Sequence, residues 1–242
     1  MNYNWNWGIF LEMSPEGDGT YLDMMLQGLV TTLVTALCAW FLALAVGTAV
    51  GIMRTMPGRV SPALATGWIE LFRNIPLLVQ LFLWYFVVPE LLPRAAGTWL
   101  KQLPNAAFYT AVVGIGFYMS ARVAVQLAAG IGALPRGQHA AGTALGLTPV
   151  QTYRYVLLPV AFRIILPPLT SDMLATLKNT SVALTIGLAE LTARARAVQE
   201  FSFQVFEAYA AATVAYCIIS LLVTVAARAL ERRTHIPGFG QA

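Results

Sequence analysis

Long charge-free stretches alternate with short charged junctions along this chain. Met24 to Met53 carries no charge, and a second apolar block, about 64 to 88, holds Glu70 and Arg73 near its start and Pro76 after them. The third block, about Phe108 to Ala133, is interrupted only by Arg122. The fourth, about Ile164 to Thr185, has Pro167 and Pro168 in its first turn, and the fifth, about Ala208 to Arg228, is charge-free to Ala227. Several blocks reach the roughly 20 residues a helix needs to cross about 30 Å of hydrocarbon. The pattern predicts an all-α polytopic membrane protein with about five transmembrane helices. In the first span Ala39, Ala43, Gly47 and Gly51 recur every four residues, a small-residue stripe that lets a second helix approach closely.

Composition agrees: of 242 residues, 58% are hydrophobic and 11% charged, with mean hydropathy +0.67. Soluble domains carry roughly 25% charged residues, so a soluble or disordered chain is excluded. The net charge of +4 is scattered between apolar blocks rather than gathered in a patch, which argues for membrane topology and against a nucleic-acid partner. Cys38 and Cys217 lie inside apolar blocks and read as packing residues, not as a metal site or disulfide framework. The first 22 residues hold four Trp or Tyr, three acids and no Lys or Arg, so they read as mature sequence rather than a signal peptide.

Five spans put the termini on opposite sides. Arg54, Arg59, Arg136, Arg154, Arg163, Arg228, Arg232 and Arg233 then share one side, against Arg94, Lys101, Arg194 and Arg196 on the other. The first side is therefore predicted to be cytoplasmic. This gives an outer N-terminal segment 1–23, a membrane domain 24–231 with an inner loop 134–163, and an inner tail 232–242.

In that loop Ala140, Ala141, Gly142 and Ala144 give a short helix a thin face, and Gly146 can end it in the left-handed conformation. Thr148 is placed as N-cap and Pro149 as first residue of a second short helix, expected to stop near Pro159. On physics alone this is an interfacial hairpin as readily as anything more specific. The spacing, however, resembles the signature loop of ABC importer permeases at Ala141, Gly146, Val156, Leu158 and Pro159, with Ala140 where the family has Glu and Gly142 where it has its second Ala. Glu70-Leu-Phe-Arg-Asn-Ile-Pro-Leu-Leu-Val-Gln80 and Lys178-Asn-Thr-Ser181 with Ile186 and Gly187 resemble the polar amino acid permeases of that family. Trp5-Asn-Trp-Gly-Ile-Phe10, Ala121-Arg-Val and Gln126 look most like its glutamate/aspartate branch.

The resemblance implies the type I importer permease fold in a bacterial inner membrane, with a periplasmic N-terminus and cytoplasmic C-terminus. It implies a coupling loop that docks on a separate ABC ATPase, present in two copies, through Ala140, Ala141, Gly142, Leu145, Gly146, Leu147, Val156, Leu158 and Pro159. It also implies a second permease, generally a different chain in this branch, and a periplasmic amino-acid-binding protein that contacts the outer segment holding Glu190, Arg194, Arg196 and Glu200; a solvated loop is the plainer reading of those four. The chain has no Gly-x-x-x-x-Gly-Lys-[Ser/Thr] phosphate loop, so it binds no cofactor of its own by that route and ATP is left to the partner ATPase.

Arg122 lies 11 residues from Ala133 and 14 from Phe108, close to the bilayer midplane. An arginine there costs about 2.5 kcal/mol or more, so it is expected to pair with a carboxylate, Asp172 being one candidate, or to receive a substrate carboxylate. Span 4 is polar on two sides: Thr170, Ser171, Lys178, Ser181 and Thr185 form one stripe, and Asp172, Thr176 and Asn179 another. The expected substrate path is Arg122, Asp172, Lys178, Asn179, Thr180 and Ser181, with helix packing or a bridge from Lys178 to Glu70 or Asp172 as the structural alternative. Glu70 and Arg73, three apart, are expected to pair with each other.

No catalytic or metal-binding constellation is found, since His139 and His235 have no paired carboxylates nearby. The expected function is thus a non-enzymatic transport subunit importing polar, most simply acidic, amino acids by alternating access. Glutamine, arginine or histidine as substrate, or an ion channel, are the alternatives.

Overall fold

The computed structural model describes residues 3–15, 17 and 19–234, so positions 235–242 of the expected inner tail, His235 among them, lie outside the described residues. The helices are α1 (Tyr21–Thr55), α2 (Val60–Asn74), α3 (Leu77–Phe82), α4 (Val88–Leu91), α5 (Arg94–Gln102), α6 (Ala106–Gly132), α7 (Arg136–Ala144), α8 (Pro149–Thr152), α9 (Leu158–Asn179), α10 (Leu191–Ser202) and α11 (Val205–Thr234). Among the described residues there is no strand, only an isolated bridge between Met13 and Thr20.

Among the described residues four segments are long and apolar enough to cross a membrane: Tyr21–Thr55, Ala106–Gly132, Pro149–Ile186 and Val205–Ala229. A fifth span exists only if the pair Val60–Asn74 and Leu77–Leu91, bent by 102°, is counted as one. The expected second span, about 64 to 88, is thus a broken one. Pro76 has no N–H and disfavours the helical conformation in the residue before it; Ile75 adopts φ −96°, ψ 128° and ends α2.

A second correction concerns the expected stop near Pro159. The chain instead runs as one helical segment from Pro149 to Ile186, so Pro167 and Pro168 fall inside α9 rather than in its first turn. The reason is a π-helical stretch, Tyr153–Leu157, closed by the Leu158 N–H on the Tyr153 carbonyl. The wider turn absorbs the missing N–H and ring of Pro159. Leu83–Val87 repeats this two residues before Pro89, closed by the Val88 N–H on the Leu83 carbonyl.

The chain divides into two compact units. The unit of Met1–Ala39, Leu77–Ile115 and Ala175–Leu222 has a core of Ile9, Tyr21, Met24, Met25, Leu191, Ala195, Val198, Ala208 and Ala212. The unit of Trp40–Pro76, Gly116–Leu174 and Val223–Ala242 packs α1 against α6 through small residues: a Cβ on Gly51 would lie 3.0 Å from Leu127 Cβ. In it Val50, Ala65, Ile69 and Ala124 form one cluster, and Leu134, Tyr153 and Leu157 another. The indole N–H of Trp68 donates to Ser120 Oγ at 3.0 Å, tying α2 to α6.

Cys38 and Cys217, expected as packing residues, sit on exposed faces of α1 and α11. In a chain surrounded by lipid an apolar side chain need not turn inward, so inside and outside cannot be told apart by hydrophobicity there.

Candidate functional site

Arg122 and Gln126 stand one turn apart on α6, and both reach Asp172 of α9. Arg122 Nε donates to Asp172 Oδ1 at 2.7 Å, and Gln126 Nε2 donates to Oδ2 at 2.6 Å. Asp172 is fully buried, whereas the Arg122 side chain is 49% exposed. A buried carboxylate needs a cation and hydrogen bonds to both oxygens, and it has them here. Among the described residues the guanidinium is anchored through Nε, which leaves its two terminal nitrogens for a ligand. Asp172, named as one candidate partner from the sequence, is thus the partner that Arg122 takes.

The remaining polar positions of this span divide. Asp172, Thr176 and Thr180 are buried, and Ser171, Lys178 and Thr185 are exposed. The Thr180 hydroxyl donates to the Leu177 carbonyl at 2.8 Å and the Ser181 hydroxyl to that of Lys178 at 2.7 Å, so both close onto their own helix where α9 gives way to a 3-10 turn. Lys178 and Asn179 lie in the last turn of α9, in the other unit from Arg122. Glu70 accepts from Asn74 Nδ2 at 2.9 Å in place of the expected partner Arg73.

The loop between α6 and α9 has the caps its sequence calls for. Gly146 adopts φ +75°, and the N–H groups of Leu147 and Gly146 bond the carbonyls of Gly142 and Thr143, both at 3.0 Å. These two bonds end α7 in a Schellman motif. Thr148 and Gln151 form a reciprocal capping box at the start of α8, the Thr148 N–H reaching Gln151 Oε1 at 2.8 Å. Gly142 is buried against Thr152, while Val156 and Leu158 pack on the Leu134, Tyr153 and Leu157 cluster. Ala140, Ala141, Gly146 and Pro159 are exposed, Leu147 is partly buried, and Leu145 stands out at 80% exposure. Val150, 69% exposed, extends the same bare apolar surface; sequence reasoning passed over it although it follows the Thr148-Pro149 cap directly.

The connection between α9 and α11 departs from expectation. Glu190, expected in a docking or solvated loop, is fully buried and caps α10, accepting from Thr192 N at 3.0 Å and Ala193 N at 2.7 Å. The Tyr216 hydroxyl donates to its second oxygen at 2.8 Å, and Thr32 Oγ1 accepts from Leu191 N at 3.1 Å. Arg196 and Glu200, four apart on α10, do remain exposed and pair at 2.8 Å, an interaction that raises the Arg196 pKa. Among the described residues no group of three or more His, Cys, Asp or Glu is placed to hold a metal ion.

The family described as "Binding-protein-dependent transport system inner membrane component" matches residues 42–236. The glutamate/aspartate import permease protein GltJ of Escherichia coli (strain K12) is 44% identical over 241 residues, 98% of each chain. The glutamine transport system permease protein GlnP of the same organism is 32% identical over 89% of this chain and 94% of its own. Among solved structures, an amino acid ABC transporter with histidines matches at TM-score 0.73 and 30% identity, covering 88% of this chain and 95% of that one. The inward-facing methionine ABC transporter MetNI matches at TM-score 0.72, 19% identity, 93% of this chain and all of that one, a likeness of fold.

Proposed function

Because the chain belongs to the family of inner membrane components of binding-protein-dependent transport systems, we propose that it is the membrane-spanning subunit of an ATP-driven importer of glutamate and aspartate. The observation that carries the substrate reading is Arg122: an arginine in a long apolar helix, anchored on a fully buried carboxylate and still half open. The near-complete match to a glutamate/aspartate permease supports the same substrate, and the glutamine reading has the weaker support of 32% identity.

In this reading Arg122, oriented by Asp172, receives a substrate carboxylate during passage. Lys178, Asn179, Thr180 and Ser181 are polar positions further along the same span. A separate ATPase hydrolyses ATP, two copies docking beneath a pair of permeases of which the second is a different chain. Ala140, Ala141, Leu145 and Gly146 meet the ATPase, joined by Val150, while Gly142, Leu147, Val156, Leu158 and Pro159 set the shape of the loop. The N-terminal segment 1–23 faces the periplasm, the membrane domain spans 24–231 and the tail 232–242 faces the cytoplasm, in keeping with eight arginines on one side against four basic residues on the other.

ATP binding closes the ATPases and opens the permeases outward; hydrolysis returns them to the inward-open state. The test is uptake into proteoliposomes holding the assembled system. Glutamate uptake that needs both ATP and the binding protein supports the reading. Uptake of glutamine, arginine or histidine instead overturns the substrate, and flux without ATP overturns the importer in favour of a channel.

A further inference from the structure

Gln126 spends its amide unevenly. Its Nε2 donates to Asp172 Oδ2 at 2.6 Å, but its Oε1 is buried without a hydrogen-bond partner among the described residues. A buried carbonyl oxygen with no donor is costly to keep, and holding Asp172 through Nε2 does not by itself satisfy it. One turn earlier on the same helix, Arg122 holds Asp172 through Nε and keeps its terminal nitrogens for a ligand. Residues four apart on a helix face stand about 5–6 Å from each other at Cβ, a span that the carboxylate and ammonium of one α-amino acid can bridge.

We infer that Gln126 is a binding residue of this site, its Oε1 accepting a hydrogen bond from the substrate's α-ammonium while Arg122 receives a carboxylate. The inference rests on the acidic amino acid reading above and deepens it. The two side chains recognise what every α-amino acid carries, a cation for the carboxylate and a neutral acceptor for the ammonium. Asp172 serves both, because its two oxygens fix the guanidinium and the amide in register. Oε1 is covered in this conformation while Arg122 is open, so the carboxylate arrives first and the ammonium contact closes second.

The experiment is equilibrium binding of labelled glutamate to the permease pair with its ATPase in nanodiscs, without binding protein, competed by unlabelled glutamate or by glutarate, the same diacid without an ammonium. Wild type is expected to prefer glutamate by about tenfold, the worth of one charge-assisted hydrogen bond. Gln126→Leu should bring glutamate down to the glutarate level and weaken glutarate far less. Gln126→Glu keeps an oxygen acceptor but loses the donor to Asp172, and should keep the preference. An unchanged ratio in Gln126→Leu, or equal weakening of both ligands, overturns the inference, since the amide would then act only by holding Asp172. Should Gln126→Leu fail to assemble, loss of the preference in Gln126→Glu overturns it equally. Unchanged glutamate binding in Arg122→Gln, or no wild-type binding, instead brings down the acidic-substrate reading itself.

Discussion

Gly47 of α1 and Val123 of α6 meet so closely that a Cβ on Gly47 would lie 2.6 Å from Val123 Cβ and 2.7 Å from the Ser120 carbonyl oxygen. Val123 follows Arg122 directly, so this contact fixes the rotation of α6 that turns Arg122 and Gln126 toward α9. Gly47→Leu is expected to force the helices apart, at the roughly 1–3 kcal/mol typical of overpacking or more. Thermal unfolding in detergent should show the loss, and Val123→Gly, which removes the Cβ that Gly47→Ala meets, should restore part of the stability of Gly47→Ala. Additive effects in that pair would mean that the helices do not meet here.

The loop tip separates docking from folding. Leu145 and Val150 are exposed, so Leu145→Asp and Val150→Asp should leave stability within about 0.5 kcal/mol of wild type. Copurification of the ATPase should nonetheless fall sharply. Gly146→Ala acts differently: at φ +75° an alanine costs roughly 1–2 kcal/mol, which unfolding should register before docking does. Retained ATPase in both Asp variants would remove this surface from the interface.

Glu190 is expected to matter for stability although it lies in a connection between two spans. Glu190→Leu leaves the Thr192 and Ala193 N–H groups without their acceptor, each costing about 1–3 kcal/mol, and takes the Tyr216 hydroxyl's carboxylate partner away, leaving it the Thr192 hydroxyl. Tyr216→Phe removes one of these bonds and should cost less. Unfolding temperatures rank the two, and equal effects would contradict the network.

How much of this was legible in the sequence depends on whether the cause is local. Spans 1, 3 and 5 follow from length and from having no charge but Arg122, and the loop caps at Gly146, Thr148 and Pro149 follow from local backbone chemistry. Pro159 misled because a π turn, which no residue pattern announces, accommodates it. Glu190 was hidden because Glu is not a favoured cap and its partner Tyr216 lies 26 residues away. Asp172 could be named only as one candidate for Arg122, since which face of span 4 meets span 3 is a matter of packing.

Alkaline pH should loosen the N-terminal segment. The Tyr3 hydroxyl bonds Glu207, and burial followed by that bond raises the phenol's pKa above its ordinary value near 10. A phenol whose folded pKa is raised contributes stability that is present below the unfolded value and lost as pH rises through the folded one. Trp5 and Trp7 stack with ring centroids 6.0 Å apart beside it, so tryptophan fluorescence should change in that window and Tyr3→Phe should abolish the transition. A transition that survives Tyr3→Phe would assign it elsewhere.

The central claim is that Arg122, held by Asp172, carries an acidic amino acid through the membrane. It is tested most directly by ATP-driven glutamate uptake in proteoliposomes containing the full system, wild type against Arg122→Gln at equal assembly. Uptake lost by about tenfold to a hundredfold with assembly retained, in line with the roughly 1.5–3 kcal/mol of a hydrogen bond between charged groups, is the predicted result. Undiminished uptake would contradict it and leave the Arg122–Asp172 pair a purely structural bond.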